Sequence, residues 1–127
     1  SDCLFCKIAA GQISSDIVYS DEQVVAFKDI NPQAPVHLLI IPRKHIPNVN
    51  SIEEDDRTLI GHIHHIAAKL AKEQGFADDG YRIVVNCGEQ GGQTVMHLHF
   101  HLPEDGHSVG LPVDVRKADP LPVLSLV

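Results

Sequence analysis

The chain is poor in positive charge and lacks any long apolar run. Among its 127 residues, 10 Lys and Arg stand against 17 Asp and Glu, which gives a formal net charge of -7. A chain with a net negative charge has no overall electrostatic attraction to a nucleic-acid backbone, so an anionic ligand must be held by local hydrogen-bond donors. No stretch approaches the roughly 20 apolar residues of a membrane span. The first residues have no basic region followed by an apolar one, so we expect no signal peptide.

Cysteine is also scarce. The three cysteines form an odd set, with Cys3 and Cys6 close together and Cys87 far along the chain, which is not typical of a disulfide framework. We therefore expect reduced thiols and a cytoplasmic protein. The Cys-x-x-Cys spacing is half of a typical zinc site, and by itself it is compatible with either a metal site or two buried thiols.

Size and patterning predict one α+β domain over residues 1–127, with a core over about 3–102 and a tail over 103–127. The composition, 43% apolar and 21% charged, is that of a globular protein without internal repeats. We predict a mainly antiparallel sheet of about five strands with one long and one short helix. A capping box at Ser51 and Glu54 predicts the start of the long helix, which ends near Gly75. The short helix is predicted at 3–10, and the strands at 16–19, 24–28, 37–41, 81–86 and 94–102.

Three histidines alternate with apolar residues along the last predicted strand, at positions 97, 99 and 101. Side chains of a strand alternate between its two faces, so His97, His99 and His101 share one face, about 7 Å apart. Met96 and the apolar residues between the histidines are expected to face a core. Three explanations fit this pattern: surface histidines, a metal site built on His-x-His, or catalysis in which one imidazole attacks and its neighbours move protons.

These histidines and several other segments together resemble one family. The segment His97-Leu-His99-Phe-His101-Leu is similar to the histidine triad of nucleotide hydrolases and transferases. The resemblance runs from Cys3 to about Leu102 and favours the Hint branch, which comprises purine nucleoside phosphoramidases. The other similar segments are Asp29-Ile-Asn-Pro-Gln-Ala-Pro-Val-His37, Ile41-Pro-Arg-Lys-His-Ile46, Tyr81-Arg-Ile-Val-Val-Asn86 and Gly91-Gly-Gln-Thr-Val95.

The resemblance implies a HIT-like fold and a hydrolase that cleaves nucleoside 5′-phosphoramidates, with adenosine as the nucleoside. His99 would attack the α-phosphorus and displace an amine, and water would then hydrolyse the nucleotidyl-histidine intermediate. His101 would contact the phosphate and help to protonate the leaving group, while His37 and His97 would orient His99. The resemblance also implies a homodimer through the long helix, and we expect neither nucleic acid nor a membrane as a partner.

The same resemblance assigns residues to the substrate. Asp29 would accept hydrogen bonds from the ribose hydroxyls, and Asn86 would contact the phosphate or the sugar. In the loop before the triad, the backbone at Gly92 and the side chains of Gln93 and Thr94 would donate to a phosphate, although the loop alone is also typical of an ordinary turn. An apolar slot for the base would be formed by Phe5, Ile8, Phe27 and Ile30. Taken singly, each of these residues is also typical of an ordinary hydrophobic core.

The resemblance extends to zinc, which the chemistry itself would not require. Some members of the wider family bind structural zinc through a Cys-x-x-Cys pair, a histidine of a Lys-His-Ile segment and the first triad histidine. Here these residues are Cys3, Cys6, His45 and His97. Zinc would attach the N-terminal helix to the sheet, and His97 would then orient His99 without relaying protons.

Two alternatives to a phosphoramidate hydrolase stay open. One is a dinucleoside polyphosphate hydrolase of the Fhit type, with the same chemistry at His99. The other is a non-catalytic, zinc-stabilised module for nucleotide binding or interaction. After Leu102 the chain departs from the Hint pattern, because Pro103 takes the last apolar place of the triad motif and the tail has no Trp. The physiological substrate and its leaving group are therefore open.

Overall fold

The computed structural model describes residues 2–32 and 35–104, and the predicted tail beyond 104 lies outside the described residues. No helix within these two ranges is long and apolar enough to cross a membrane. Short 3-10 helices at Val49–Ser51 and Glu54–Asp56 precede the long helix. The described helices and strands are α1 (Leu4–Ala9), β1 (Ile17–Ser20), β2 (Val24–Lys28), β3 (His37–Pro42), α2 (Arg57–Gln74), β4 (Val84–Val85) and β5 (Phe100–Pro103).

The five strands form one antiparallel sheet in the order β1-β2-β3-β5-β4. Every residue of β3 is buried, because strands pair with both of its edges and helices cover both of its faces. Leu39 of β3 lies opposite His101 of β5 in the register. The prediction of an α+β fold with a five-stranded antiparallel sheet, one long helix and one short helix is confirmed.

Helix α2 covers one face of the sheet through an apolar stripe. Its end matches the prediction, since Gly75 has a φ of +87°, a left-handed conformation that glycine adopts without strain. Its start differs. Ser51 belongs to a separate 3-10 turn, and the capping box is formed by Glu53 and Asp56. The α2 residues buried against the sheet are Leu59, Ile63, Ile66, Ala67, Leu70 and Ala71.

Helix α1 covers part of the opposite face, on the side where the triad histidines lie. Cys3 caps its N-terminus, where the Cys3 Sγ accepts a hydrogen bond from the backbone N–H of Cys6 at 3.4 Å. Gly11, with a φ of +75°, follows its last turn. Phe5 and Ile8 are buried from this helix against the sheet residues Val25, Phe27, Leu39 and Ile41.

Two strands are shorter than predicted. Of residues 94–102 only those from Phe100 onward pair in the sheet, and of residues 81–86 only Val84 and Val85 do. Continued by two residues, the register of β3 and β5 would place Pro42 opposite Leu98, and proline cannot donate a backbone hydrogen bond. The N–H of Leu98 donates to the carbonyl oxygen of Ile46 at 2.6 Å. Alternation nevertheless persists, because Leu98, Phe100 and Leu102 pack in the core under α2. Met96 is the exception: it is 48% exposed and does not face the core.

An ion pair joins the chain after β3 to the start of α2. The ammonium of Lys44 lies 2.6 Å from Oδ1 of Asp56, whose Oδ2 accepts the backbone N–H of Glu53 at 2.9 Å. Lys44 and this N–H group hold the pKa of Asp56 below its usual value. A carboxyl group whose pKa is lowered by folding stabilises the fold above its unfolded pKa of about 3.9, and this contribution is lost as the pH falls.

We expect the Asp56→Asn variant to unfold at a lower urea concentration than the wild type at pH 7. The difference between the two midpoints should shrink as the pH is lowered toward 3, because the wild-type carboxylate becomes protonated. Urea titrations followed by circular dichroism measure it, with Asp55→Asn as the control at an exposed neighbouring carboxylate. An equal difference between the two urea midpoints at pH 7 and near pH 3 would show that the charge of Asp56 does not contribute to stability.

Candidate active site and metal cluster

A cleft opens on the α1 side of the sheet, beside the triad histidines. Its volume is about 280 Å³, close to the lower end of the roughly 300 to 1,000 Å³ of small-molecule pockets. Ile30 contributes at the rim, where it is 82% exposed, whereas the other predicted base-slot residues are buried. The predicted site residues that line the cleft are Phe5, Ile8, Phe27, Asp29, Ile30, Thr94, His99 and His101.

The imidazole of His99 is buried in the wall of this cleft and has a defined orientation. Its Nδ1 lies 2.7 Å from the backbone carbonyl oxygen of His97, and only a protonated Nδ1 can donate to that oxygen. The lone pair of the ring is therefore on Nε2. Burial lowers the pKa of His99 below its usual value, which favours the neutral, nucleophilic ring near pH 7. The ring edge of Phe5 packs beside it at a centroid distance of 5.0 Å.

His101 belongs to a chain of polar groups with His37 and Asp29. Nε2 of His37 lies 3.0 Å from Nδ1 of His101 and 3.4 Å from Oδ2 of Asp29. A proton on Nε2 of His37 donates to Nδ1 of His101 and is attracted by the nearby Asp29 carboxylate, and it leaves the proton of the His101 ring on Nε2. Burial, together with the neighbouring rings of His99 and His37, lowers the pKa of His101 to about 3. The structure thus gives His101 a neutral ring with a donor at Nε2.

The side chain of His97 is directed away from the cleft, toward the N-terminal cysteines. Its Nδ1 lies 3.3 Å from Sγ of Cys3, 3.5 Å from Sγ of Cys6 and 3.2 Å from Nδ1 of His45. Its Nε2 is protonated, because it donates to the carbonyl oxygen of Pro42 at 2.8 Å. The part of His97 that orients His99 is therefore its backbone carbonyl, while its imidazole belongs to a second cluster.

This second cluster, Cys3, Cys6, His45 and His97, has the geometry of a metal site. All four donor atoms lie within 4.8 Å of one another, and Sγ of Cys6 is 3.3 Å from Nδ1 of His45. Bond lengths of about 2.0 to 2.3 Å to a tetrahedral zinc ion place neighbouring donors about 3.3 to 3.7 Å apart. The Pro42 carbonyl fixes the tautomer of His97, as partners of metal-bound histidines do. The four predicted ligands therefore lie together in an arrangement that could hold a metal ion.

The glycine-rich loop uses its backbone donors internally. The backbone N–H groups of Gly91, Gly92 and Gln93 donate to the carbonyl oxygens of Gly88 and Glu89, at distances of 3.0 to 3.2 Å. The expectation that Gly92 offers its N–H to a phosphate therefore differs from the structure, because a tight turn has already taken this donor. No side chain fits at Gly91, where a Cβ atom would clash with the backbone of Cys87.

Two predicted polar side chains brace the same loop. Both amide hydrogens of Gln93 are donated to backbone carbonyl oxygens, of Pro47 at 2.7 Å and of Val95 at 2.9 Å, so its side chain is not the phosphate donor we expected. The amide of Asn86 donates to the carbonyl oxygen of Gly91 at 2.7 Å, and this residue is not among those lining the cleft. Of the loop residues predicted to donate, Thr94 is the one whose side chain is left beside the cleft.

The sequence interpretation missed three polar residues of the cleft. Ser14 and Ser15 line it from the segment before β1, and Asn31 lines it after β2. The backbone N–H of Asn31 also donates to Oδ1 of Asp29 at 2.9 Å, which holds that carboxylate at the cleft. Asn31 stands in a segment that already carried the family resemblance, whereas no pattern distinguishes the two serines from ordinary loop residues.

Comparison with known proteins identifies the family to which this chain belongs. The model of the family described as "Scavenger mRNA decapping enzyme C-term binding" matches residues 2–111. A purine nucleoside phosphoramidase from Escherichia coli (strain K12) is 48% identical over 101 residues, which cover 80% of this chain and 85% of that protein. This chain belongs to the histidine triad family, as its sequence predicted.

Solved structures support the same assignment. A HIT family hydrolase from Legionella pneumophila Philadelphia 1 superposes with a TM-score of 0.81 at 48% identity, covering 84% of this chain and 96% of that one. A HIT family hydrolase from Clostridium thermocellum superposes with a TM-score of 0.80 at 51% identity, covering 82% and 90% of the two chains. The likeness therefore spans most of each of these relatives.

Proposed function

We propose that this protein hydrolyses nucleoside 5′-phosphoramidates, with adenosine as the nucleoside, through attack of His99 on phosphorus. The observation that carries the proposal is the hydrogen bond from Nδ1 of His99 to the carbonyl of His97, which leaves the lone pair on Nε2 in a cleft that is also lined by aromatic side chains and by Asp29. A relative at 48% identity is named a purine nucleoside phosphoramidase, and two structural relatives are named hydrolases. These names support the same class of reaction.

The cleft offers a place for each part of the substrate. A purine fits the apolar slot beside Phe5 and Phe27, where it would be stabilised by burial of its ring faces. Asp29 is held by the N–H of Asn31 and retains acceptor capacity for the two vicinal ribose hydroxyls. This arrangement directs the phosphate toward His99 and the Thr94 hydroxyl.

The reaction then takes two displacements. Nε2 of His99 forms a bond to the α-phosphorus, the phosphorus–nitrogen bond of the substrate breaks, and the leaving nitrogen takes a proton from solvent while the Nε2–H of His101 hydrogen-bonds the phosphate. The carbonyl of His97 stabilises the cationic ring of the intermediate through the proton on Nδ1. Water next forms a bond to phosphorus, the bond to His99 breaks, and a proton of that water is released to solvent. The net products are a nucleoside monophosphate and a free amine.

A substrate comparison tests this proposal. We expect adenosine 5′-phosphoramidate to be hydrolysed with a larger kcat/KM than a diadenosine polyphosphate, measured by chromatography of the AMP released. A reversed preference would favour the Fhit-type alternative. Nucleotide binding by calorimetry without hydrolysis of either compound would indicate a non-catalytic binding module.

We further propose that the cluster of Cys3, Cys6, His45 and His97 binds structural Zn²⁺. Two thiolates and two imidazoles suit zinc, and their donor spacing fits a tetrahedral ion. Such an ion would link α1 to the segment that carries the triad, and no reaction step passes through it. Association into a homodimer through α2 is likewise a proposal, which sedimentation velocity measures.

Arg43 is a candidate positioning residue for the nucleotide slot. Its guanidinium donates to the carbonyl oxygen of Ala9, the last residue of α1, at 2.7 Å. It also donates to the carbonyl oxygen of Asp21 and to Oγ of Ser20, both at 2.8 Å, in the turn between β1 and β2. Arg43 therefore holds the C-terminal end of the helix whose residues Phe5 and Ile8 wall the slot.

We expect Arg43→Ala to raise the KM for the phosphoramidate roughly fivefold, the scale of one lost hydrogen bond, with little change in kcat. The reason is that α1 shifts, whereas His99 is oriented by its own segment. Steady-state kinetics measures the split, with Arg57→Ala as a control for loss of an exposed arginine whose contacts are to Glu54. A fall in kcat at unchanged KM would contradict this role.

A further inference from the structure

Three ligand atoms converge beside the nucleophile. Oδ2 of Asp29, Nε2 of His37 and Nδ1 of His101 all lie within 4.8 Å of one another, with His37 in the centre at 3.4 Å and 3.0 Å from the other two. One proton on Nε2 of His37 faces both neighbours in the arrangement described above. Three ligand atoms that converge on one shared proton can also bind a small cation in place of that proton.

The spacing of these atoms matches the edges of a metal coordination shell. With bonds of about 2.1 Å, neighbouring ligands lie about 3.0 Å apart in octahedral and about 3.4 Å apart in tetrahedral geometry. The two distances at His37 span this range. Asp29 is the ligand that would adjust on binding, because it is partly exposed and directly follows the end of β2.

The donor set also selects the type of ion. Two neutral imidazoles and one carboxylate suit Zn²⁺, Fe²⁺, Ni²⁺ or Cu²⁺, and they suit Mg²⁺ and Ca²⁺ poorly. This set is separate from the cysteine cluster, the name used here for Cys3, Cys6, His45 and His97. The imidazole of His97 faces the cysteines, whereas that of His101 faces His37. Asp29 and His101 line the cleft, whereas the side chain of His37 is 1% exposed, so the ion would reach the set from the cleft side.

We propose that Asp29, His37 and His101 form a second site for a divalent transition-metal ion, and that this ion and a nucleotide exclude one another. The inference rests on the proposed function to the extent that Asp29 and His101 are assigned to the substrate. A carboxylate bound to the ion no longer accepts from ribose hydroxyls. Nε2 of His37 binds the ion only in the other tautomer, so the ring proton is transferred to Nδ1 and the ring stays neutral.

Calorimetry with Zn²⁺ tests the site on the full chain. Protein that carries one equivalent of zinc is titrated with more zinc, with and without saturating adenosine, which has the ribose hydroxyls but no phosphate to sequester metal. We expect a second equivalent to bind and adenosine to weaken it. We also expect the KM for the phosphoramidate to rise with zinc at unchanged kcat.

Matched variants identify where the second ion binds. Asp29→Asn keeps the shape and removes the anionic ligand, so we expect the second affinity to fall by more than the roughly 10- to 100-fold that loss of a supporting partner costs. Asp16→Asn, at an exposed carboxylate paired with Lys28, should leave it unchanged. His62→Gln tests the other histidine–carboxylate pair, formed with Asp21 at 2.7 Å, and should also leave it unchanged.

Three outcomes would overturn the inference: no second equivalent, a second equivalent that Asp29→Asn keeps, or one that His62→Gln removes. These outcomes are independent of the reaction. Protein that binds the second ion in competition with adenosine but hydrolyses no phosphoramidate would retract the proposed function and keep the site. Protein that turns over substrate yet binds one zinc ion would retract the site and keep the function.

Discussion

The His99→Ala variant is expected to lose turnover by a factor on the order of 10⁴ to 10⁶, the scale on which removal of a catalytic nucleophile acts. Adenosine affinity should change little, because the proposed base and ribose contacts belong to other residues. Hydrolysis of adenosine 5′-phosphoramidate measures the first quantity, and calorimetry with adenosine measures the second. We expect turnover to fall without a loss of adenosine affinity, because His99 contributes the attacking lone pair on Nε2 and no proposed contact to the base or the ribose.

A matched control and a trapping experiment sharpen this test. His64→Ala removes an exposed histidine on α2 and should leave kcat/KM unchanged. Substrate labelled at the phosphorus and quenched during turnover should leave label on a peptide containing His99 in the wild type, and none in His99→Ala. Turnover by the variant at more than a hundredth of the wild-type rate would assign the attack to another group.

Removal of the proposed zinc ion from the cluster of Cys3, Cys6, His45 and His97 is expected to lower the stability of the fold strongly. If free zinc exceeds its Kd about a thousandfold, binding to the folded state contributes about 4 kcal/mol. For a domain of this size that corresponds to roughly 10 to 20 °C in Tm. Scanning calorimetry of protein with zinc and after treatment with a chelator measures the difference.

The cysteines provide the variants for this second test. Cys6→Ser should reproduce the effect of the chelator and make the Tm insensitive to added zinc. Cys6 is preferable to Cys3, whose sulfur also caps α1. Cys87→Ser is the matched control, because this thiol lies outside the cluster. Equal Tm values with and without zinc would contradict a structural metal.

Local patterns predicted the fold and the faces of the triad well. Alternation along residues 97–102 placed Leu98, Phe100 and Leu102 in one core and the histidines on the other side, and this alternation survives even where the backbone leaves the sheet. The lengths of the last two strands could not be predicted, because they depend on a neighbour. Pairing of β5 with β3 stops before the register reaches Pro42, which lies some fifty residues earlier in the chain.

The roles of individual polar groups were harder to predict. Gln93 and Gly92 have the composition of a phosphate loop, but whether a donor faces a ligand or its own turn depends on hydrogen bonds that sequence does not show. His97 shows the same limit of sequence-based prediction for a residue that takes part in two sites. Its side chain and its carbonyl serve different clusters, and a pattern of residue types cannot separate the two.

This double use of His97 makes the two clusters interdependent. If the imidazole is drawn toward the cysteines by an ion, the peptide group after it is fixed as well, and with it the acceptor that sets the tautomer of the next histidine in the row. A chelator acting some distance from the substrate would then loosen the nucleophile without touching it. If the proposed zinc ion is bound, specific activities of different purified batches would be comparable only when their zinc content has been measured.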